Sequence, residues 1–93
     1  MKDPRHLAFL RGLPCAMCLR PPPCDAHHST AHRRGLGLKA SDRHAFPLCN
    51  GPDGCHDQFH SARGRFKGWD KEKRRLWQRA MVDLYNVTKE AFF

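Results

Sequence analysis

The sequence contains no long apolar run. No segment approaches the roughly 20 consecutive apolar residues that a membrane span requires. The stretch HLAFL at 6–10 is too short for the apolar part of a secretion signal, and it is followed by Arg11. These absences predict a cytoplasmic protein without a membrane-spanning segment.

Acidic residues are scarce. Nine Asp and Glu stand against seventeen Lys and Arg, which gives a formal net charge of +8. A basic surface can serve solubility alone, but an excess of this size on 93 residues favours an anionic partner, most commonly nucleic acid. A membrane surface would require a basic helix with an unused apolar face, and only the C-terminal helix comes close. Because that face is needed for the core, we predict nucleic acid, and no membrane, as the partner.

The sequence also lacks internal repeats and any linker long enough to divide it, which predicts a single domain over 1–93. A chain of this length buries only about 60–70% of its unfolded surface, so a covalent or metal cross-link would help a thin core. Five cysteines are available for that purpose. Their odd number, in a chain without a secretion signal, indicates metal binding and not disulfide bonds.

Punctuating residues predict an N-terminal helix within 1–12. Asp3 is a candidate N-cap, Pro4 suits the first helical position, and Gly12 follows the last apolar residue. The predicted helix covers 4–11.

Two short segments, DAHH at 25–28 and HAFPLC at 44–49, are predicted to be extended. Pro47 in the second implies an edge position or a strand end. The turn NGPDG at 50–54 follows, and a helix is predicted to begin near His56 and to end before the glycines at 64 and 68.

The C-terminal segment 69–88 is predicted to be a basic helix with Asp70 as its N-cap. Its apolar residues have helical spacing, at positions 76, 77, 80, 81 and 84. Trp69 and Trp77 are predicted to belong to the core and the helix cap, and not to a base-stacking surface.

The cysteines form two pairs. Cys15 and Cys18 have the two-residue gap of a zinc knuckle, and Cys49 and Cys55 are separated by a glycine-rich turn that can bring their thiolates together. We predict one structural Zn²⁺ held by these four residues. Cys24 either replaces Cys55 as the fourth ligand or remains a free thiol, and we favour the free thiol.

Four histidines flank these pairs. His27 and His28 follow the first pair, whereas His56 and His60 follow the second, with the i, i+4 spacing that places two side chains on one helix face. A zinc ion joining the two cysteine pairs would bring all four histidines together.

The order LPCAMCLRPPPCDAHH, a long loop, FPLC and then CHDQFH resembles the HNH endonucleases, whose fold is called ββα-metal. It is particularly similar to small phage-type HNH proteins, including the Ref recombination-enhancement nucleases. The similarity runs from Leu13 to His60, about half of the chain. It implies a small α+β fold in which a zinc-stapled, treble-clef-like ββα-metal core at 13–62 lies between N- and C-terminal helices. It also implies that the protein acts in the cytoplasm of a bacterial or phage-infected cell.

The resemblance further implies roles for the histidines. His27, His56 and His60 would bind a catalytic divalent ion, which could be Mn²⁺, Mg²⁺, Ni²⁺ or Zn²⁺. His28 would be the general base that activates water for hydrolysis of DNA phosphodiester bonds, leaving 5′-phosphate and 3′-hydroxyl ends. Asp25 either supports this site or is a surface carboxylate, and no residue is identified that would orient His28.

Two other functions fit parts of the sequence. A non-catalytic zinc module that binds nucleic acid would explain the charge and the cysteines, but not a second, histidine-rich group. HDQFH also resembles the HExxH helix of zinc proteases, with Asp57 in place of Glu, but that function leaves His27, His28 and the cysteines unexplained.

The basic residues divide into two predicted nucleic-acid contact groups, with a solvated face as the alternative. One group forms an i, i+4, i+8 stripe on the last helix. Its like charges repel one another, and bound phosphates would relieve that repulsion. The other lies in the long loop, where Asp42 is predicted to be a turn residue. The predicted contacts are Lys71, Arg75, Arg79, Arg33, Arg34 and Lys39. No specificity domain is visible, so cleavage would be weakly sequence-specific unless a protein partner guides it, and no oligomeric state is indicated.

Overall fold

The computed structural model describes residues 2–32 and 41–92, with the side chains of the last helix described through residue 87. Over these residues the protein is a small α+β fold with three α-helices, a short 3₁₀ turn and a two-stranded antiparallel sheet. The elements are α1 (Pro4–Arg11), β1 (Cys24–His28), β2 (Ala45–Cys49), α2 (Cys55–Ser61), the 3₁₀ turn (Gly64–Phe66) and α3 (Lys71–Phe92). The α+β class and the order of the elements are confirmed.

Helix α1 covers the predicted residues. The Asp3 side chain accepts a hydrogen bond from the backbone N–H of His6 at 3.1 Å, and Pro4 occupies the first turn, where a helix leaves its N–H groups without partners. At the other end Gly12 donates to the carbonyl of Phe9 at 3.2 Å. The buried Leu10 lies on the face of α1 that packs on both strands.

The two strands pair with Cys24 opposite Cys49 and His28 opposite Ala45. Every residue of β2 is buried. Each strand of a two-stranded sheet has an open edge, and the Pro47 carbonyl accepts from the backbone N–H of Ala16 at that edge, at 2.9 Å. The predicted edge position is thus confirmed, and this bond holds the first cysteine pair beside the second strand.

Helix α2 begins one residue before the predicted start and ends at Ser61, before the glycines, as predicted. Gly54 must be glycine here, because a Cβ atom would collide with the carbonyl oxygens of Cys49 and Asn50. The tight turn that Gly54 permits places Cys55 at the first position of the helix, directly after the strand that carries Cys49.

Helix α3 begins at Lys71, within the predicted segment 69–88 and directly after Asp70, which is the predicted N-cap and accepts from the backbone N–H of Lys73 at 2.8 Å. It also continues beyond the predicted end at 88. The predicted apolar face is only partly correct: Trp77 and Met81 pack on the core, whereas Leu76 and Leu84 are exposed by 59% and 52%.

The core is largely aromatic. Phe59 of α2 lies 5.0 Å from Phe66 and 5.7 Å from Trp77 between ring centroids, and Trp77 also contacts Phe46 of β2. Trp69 packs against the same group, as predicted. Because Phe46 and Phe59 belong to β2 and α2, their packing fixes these two elements against α3. Within the described residues, no helix combines the length and apolar character needed to cross a bilayer.

Candidate functional site

The four cysteines predicted to bind zinc lie together. The Sγ atoms of Cys15, Cys18, Cys49 and Cys55 are all within 4.8 Å of one another. Cys18 and Cys49 are 3.7 Å apart, which matches the sulfur separation of about 3.8 Å in a tetrahedral site with Zn–S bonds of about 2.3 Å. This group can hold a structural metal such as zinc.

Backbone N–H groups support thiolates in this group. Met17 donates to the Sγ of Cys15 at 3.4 Å, and Cys55 donates to the Sγ of Cys49 at 3.1 Å. Burial opposes ionisation of Cys15, but hydrogen bonds from the backbone of Cys18, Cys49 and Met17 lower its pKa to about 7. Burial, followed by the neighbouring cysteines, raises the pKa of Cys55. Four thiolates therefore need a cation between them, and the donor set fits Zn²⁺.

Cys24 is buried but is not part of this group. Burial, and then the proximity of Cys15 and Cys49, raises its pKa to about 11. A thiol in these surroundings stays protonated, in agreement with the favoured prediction that Cys24 is free.

A second group is formed by His27 from β1 and by His56 and His60 from α2. One ring nitrogen of each lies within 4.8 Å of the others, so the group can hold a metal ion. The Nε2 atoms of His56 and His60 are 3.1 Å apart. Two nitrogens that share an ion at about 2.1 Å lie about 3.0–3.4 Å apart, so this spacing fits a metal site. His27 is buried with 2% exposure and His60 is exposed, which leaves the group open on the α2 side.

Gln78 of α3 determines which nitrogen of His27 faces the group. The side-chain amide of Gln78 makes reciprocal bonds with Thr30, accepting from its N–H at 2.9 Å and donating to its Oγ1 at 2.9 Å. Because a backbone N–H can only donate, the amide oxygen is the atom that also faces Nε2 of His27, at 3.1 Å. Nε2 therefore carries the hydrogen, and Nδ1 holds the lone pair that could bind a metal.

Asp25 has the same relation to His56. Its Oδ2 accepts from Nδ1 of His56 at 2.9 Å, so Nε2 is the nitrogen with the lone pair. Of the two roles left open for Asp25, support of the site agrees with this bond. A metal-binding histidine commonly donates its other N–H to a carboxylate or carbonyl, and both His56 and His27 do so here.

His28 is the last residue of β1 and is not part of the three-histidine group. Its Nε2 donates to Oδ1 of Asp42 at 2.8 Å, and the backbone N–H of Asp3 donates to Oδ2 of the same carboxylate at 2.7 Å. The Asp3 bond, and then His28, lower the pKa of Asp42, which keeps this carboxylate an acceptor. Asp42 was predicted only as a turn residue, but its carboxylate also orients His28. In this orientation Nδ1 is the nitrogen that can take a proton.

The burial of His27 changes its pKa. Desolvation, which the bond to Gln78 only partly offsets, lowers the pKa of His27 to about 4. This imidazole is therefore neutral at physiological pH, as a metal ligand must be.

The predicted phosphate contacts have different outcomes. Lys71 and Arg75 line an open pocket beside Thr30 and Gln78, while Arg79 lies on the same helix with its Nη2 donating to the carbonyl of Ala31 at 3.4 Å. The other three predictions, Arg33, Arg34 and Lys39, lie outside the described residues.

Besides the role of Asp42, two residues were not predicted, Gln78 and Arg74. Gln78 has 2% exposure and lies four residues before the buried Val82, so it belongs to the inner face of α3. A polar residue among the buried positions of a helix is the sequence signal that could have indicated a role for Gln78. Arg74 lies one turn earlier, with its guanidinium 4.1 Å from the centre of the Phe59 ring.

No protein-family model, curated protein or solved structure matches this chain. The assignment of a function therefore depends on the residues and distances described above.

Proposed function

We propose that this protein is a metal-dependent endonuclease of the HNH type that hydrolyses DNA phosphodiester bonds. The observation that carries the proposal is the convergence of His27, His56 and His60 from two separate elements, with Asp25 and Gln78 holding two of the three rings. The cysteine group already offers a structural metal site, so a second group with this degree of support favours a functional role.

His28 is the proposed general base. With Nε2 bonded to Asp42, its Nδ1 can take a proton from a water molecule as that water attacks phosphorus. The imidazolium that forms would be stabilised by the adjacent carboxylate, whose pKa is already lowered by Asp3 and His28. The side chain of His28 is 37% exposed, so water can reach it.

His27, His56 and His60 would hold the divalent ion. When bound, the ion supplies positive charge to the phosphate and to the departing 3′ oxygen. Three protein ligands leave coordination positions open, and the exposure of His60 gives a strand access to them. Keeping His28 outside the ligand set is essential, since a nitrogen bound to metal cannot accept a proton.

The non-catalytic binding module accounts for the cysteine group and the basic surface equally well. The two functions differ in a direct assay. We expect purified protein to nick supercoiled plasmid when Mn²⁺ is added and to be inactive in EDTA. A protein that shifts plasmid mobility without nicking it in Mn²⁺, Mg²⁺, Ni²⁺, Co²⁺ or Zn²⁺ would be the binding module.

The rate of cleavage is expected to depend on pH through the base. An imidazole acts as a base only when neutral, and imidazole side chains ordinarily titrate near 6.5. At saturating Mn²⁺ the single-turnover rate should therefore rise between about pH 6 and 8 and then level. Asp42, with its lowered pKa, and His27, with a pKa of about 4, do not change charge in this range. A rate that falls steadily from pH 6 to 8 would contradict a histidine base.

The metal preference follows from the ligands. Three imidazoles favour Mn²⁺, Ni²⁺, Co²⁺ or Zn²⁺ over Mg²⁺ in affinity, so we expect Mn²⁺ to support cleavage at least as well as Mg²⁺.

Replacing Asp25 with Asn should weaken the metal site. The variant loses the carboxylate that fixes His56, and changes of this kind typically cost about 10–100-fold in metal affinity. The half-saturating Mn²⁺ concentration for cleavage measures the effect.

Asp57→Asn is the matched control for that variant. Asp57 follows His56 on the same helix but pairs with Arg63, so its loss should leave the Mn²⁺ requirement unchanged. The control also tests the protease-like interpretation, in which Asp57 would be essential. Equal shifts in both variants would mean that Asp25 has no special role.

A further inference from the structure

A pocket lies between the residues that follow β1 and the first turns of α3. Its volume is about 110 Å³, and it is lined by Thr30, Ala31, Lys71, Arg74, Arg75 and Gln78. This volume holds several water molecules but is well below the roughly 300–1,000 Å³ of small-molecule sites. The pocket therefore suits a small group, and not a nucleoside or a cofactor.

The described residues that line the pocket include three cations and no acid. Lys71 and Arg75 are exposed at its rim. Arg74 is held more rigidly, because it stacks on Phe59 and its Nη2 donates to the Phe59 carbonyl at 2.8 Å. Its Nη1 is buried and has no hydrogen-bond partner among the described residues. A buried guanidinium nitrogen without an acceptor is costly, and its positive charge adds to the charges of Lys71 and Arg75 beside the pocket.

Two further donors belong to residues that line the pocket. Thr30 Oγ1 accepts from Gln78, so its own hydroxyl hydrogen remains available to a second partner. Lys71 opens α3, where the helix dipole places partial positive charge. A tetrahedral oxyanion matches this combination of guanidinium, ammonium and hydroxyl donors.

We propose that this pocket binds one backbone phosphate of the substrate strand and thereby sets the position of the strand over the three-histidine group. The assignment to a nucleic-acid phosphate rests on the proposed function. Gln78 forms a wall of the pocket and at the same time accepts from His27 at 3.1 Å, so the pocket adjoins the ligands of the metal. Lys71, Arg74 and Arg75 are then positioning residues. Arg74 was not among the predicted contacts, because it lies outside the i, i+4, i+8 stripe.

Inorganic phosphate tests the pocket without requiring cleavage. In an NMR titration of the full chain at constant ionic strength, with chloride as the balancing anion, the amides of Thr30 and Ala31 should shift and saturate. The Lys71→Gln/Arg75→Gln variant should lose this response. Lys73→Gln/Arg65→Gln is its match, since it also removes one lysine and one arginine, and neither residue lines the pocket. Both pairs are exposed, whereas Arg74→Gln could unfold the chain by releasing Phe59.

Chemical-shift changes that persist in Lys71→Gln/Arg75→Gln, or that spread equally over the basic surface, would overturn the proposal that this pocket binds phosphate. Saturable shifts of Thr30 and Ala31 in a chain that never nicks plasmid would leave the pocket standing as an anion site and would reject only the nuclease.

Binding to a DNA oligonucleotide tests the source of the phosphate. The logarithm of the binding constant falls with the logarithm of the salt concentration, and each phosphate neutralised on duplex DNA adds about 0.9 to the magnitude of this negative slope. Because Lys71 and Arg75 would share one phosphate, removing both should reduce the magnitude of the slope by about 0.9, and affinity should fall by roughly tenfold at 0.1 M salt. The matched pair should change neither quantity. An unchanged slope would restrict the pocket to free phosphate, and a fall of about 1.8 would mean two separate contacts; either result overturns the proposal.

Discussion

Replacing His28 with alanine is expected to abolish cleavage while leaving the fold and DNA binding intact. The substitution removes the proposed base, and a positioned general base typically contributes about 10²–10⁴-fold to a rate. His28 lies at the end of β1 and is partly exposed, so its loss removes little packing. Single-turnover nicking of supercoiled plasmid measures the rate, and oligonucleotide binding in EDTA measures affinity.

His44→Ala is the control for this variant. His44 stacks on His32 with 4.4 Å between ring centroids and lies outside the three-histidine group, so we expect wild-type cleavage. Near-wild-type cleavage by His28→Ala would show that His28 is not the base.

Asp42→Asn gives the same assignment a second readout. An amide can donate to Nε2 and favour the tautomer in which Nδ1 carries the hydrogen, which cannot accept a proton. The variant should lower kcat with little change in KM, and it should have no further effect in the His28→Ala background. An equal loss in both backgrounds would separate Asp42 from the base.

Replacing Cys49 with serine is expected to prevent folding. Binding of a structural Zn²⁺ typically contributes about 10–16 kcal/mol, which is comparable to or larger than the roughly 5–15 kcal/mol net stability of a domain. The Sγ of Cys49 also accepts from the backbone N–H of Cys55 and lies 3.7 Å from the Sγ of Cys18, so the substitution removes one of the four sulfurs and both of these contacts. Circular dichroism and zinc content of the purified variant measure the effect.

Cys24→Ser is the control for this variant. It removes a buried sulfur without removing a predicted metal ligand, so it distinguishes the two causes of unfolding. Cys24 is buried in the same core cluster and pairs with Cys49 in the sheet register, but it is outside the four-cysteine group. This variant should fold and retain one zinc per chain. Purified wild-type protein without tightly bound zinc, or a folded Cys49→Ser variant, would show that zinc does not stabilise this fold.

Local signals predicted the parts of the fold that depend on neighbouring residues. The Asp3–Pro4 start and the Gly12 end predicted α1, and the two cysteine spacings predicted the four cysteines that can hold a structural metal. The approach of β1 to α2 is predicted by placing the cysteines around one ion, because each cysteine pair is followed by a pair of the histidines.

The bonds that support the site depend on the packing of distant segments. Asp42 is 14 residues from His28, and Gln78 is 51 residues from His27. No spacing rule connects these positions, because the second pair meets only when α3 crosses the sheet. Helix α3 also shows why periodicity was insufficient there: positions 76, 80 and 84 and positions 77, 81 and 85 are adjacent apolar stripes, and only the second faces the core.

We propose that the two metal-binding groups have different tasks: the cysteines stabilise the fold and the histidines serve hydrolysis. The most direct test is the rate of plasmid nicking as a function of free Mn²⁺ in wild-type protein and in His60→Ala, with zinc content determined in both. We predict a saturable Mn²⁺ dependence that shifts to at least tenfold higher concentration in His60→Ala, as expected for loss of a ligand, with one zinc retained by each protein. Identical Mn²⁺ curves, or loss of zinc from His60→Ala, would show that the two groups do not have separate tasks.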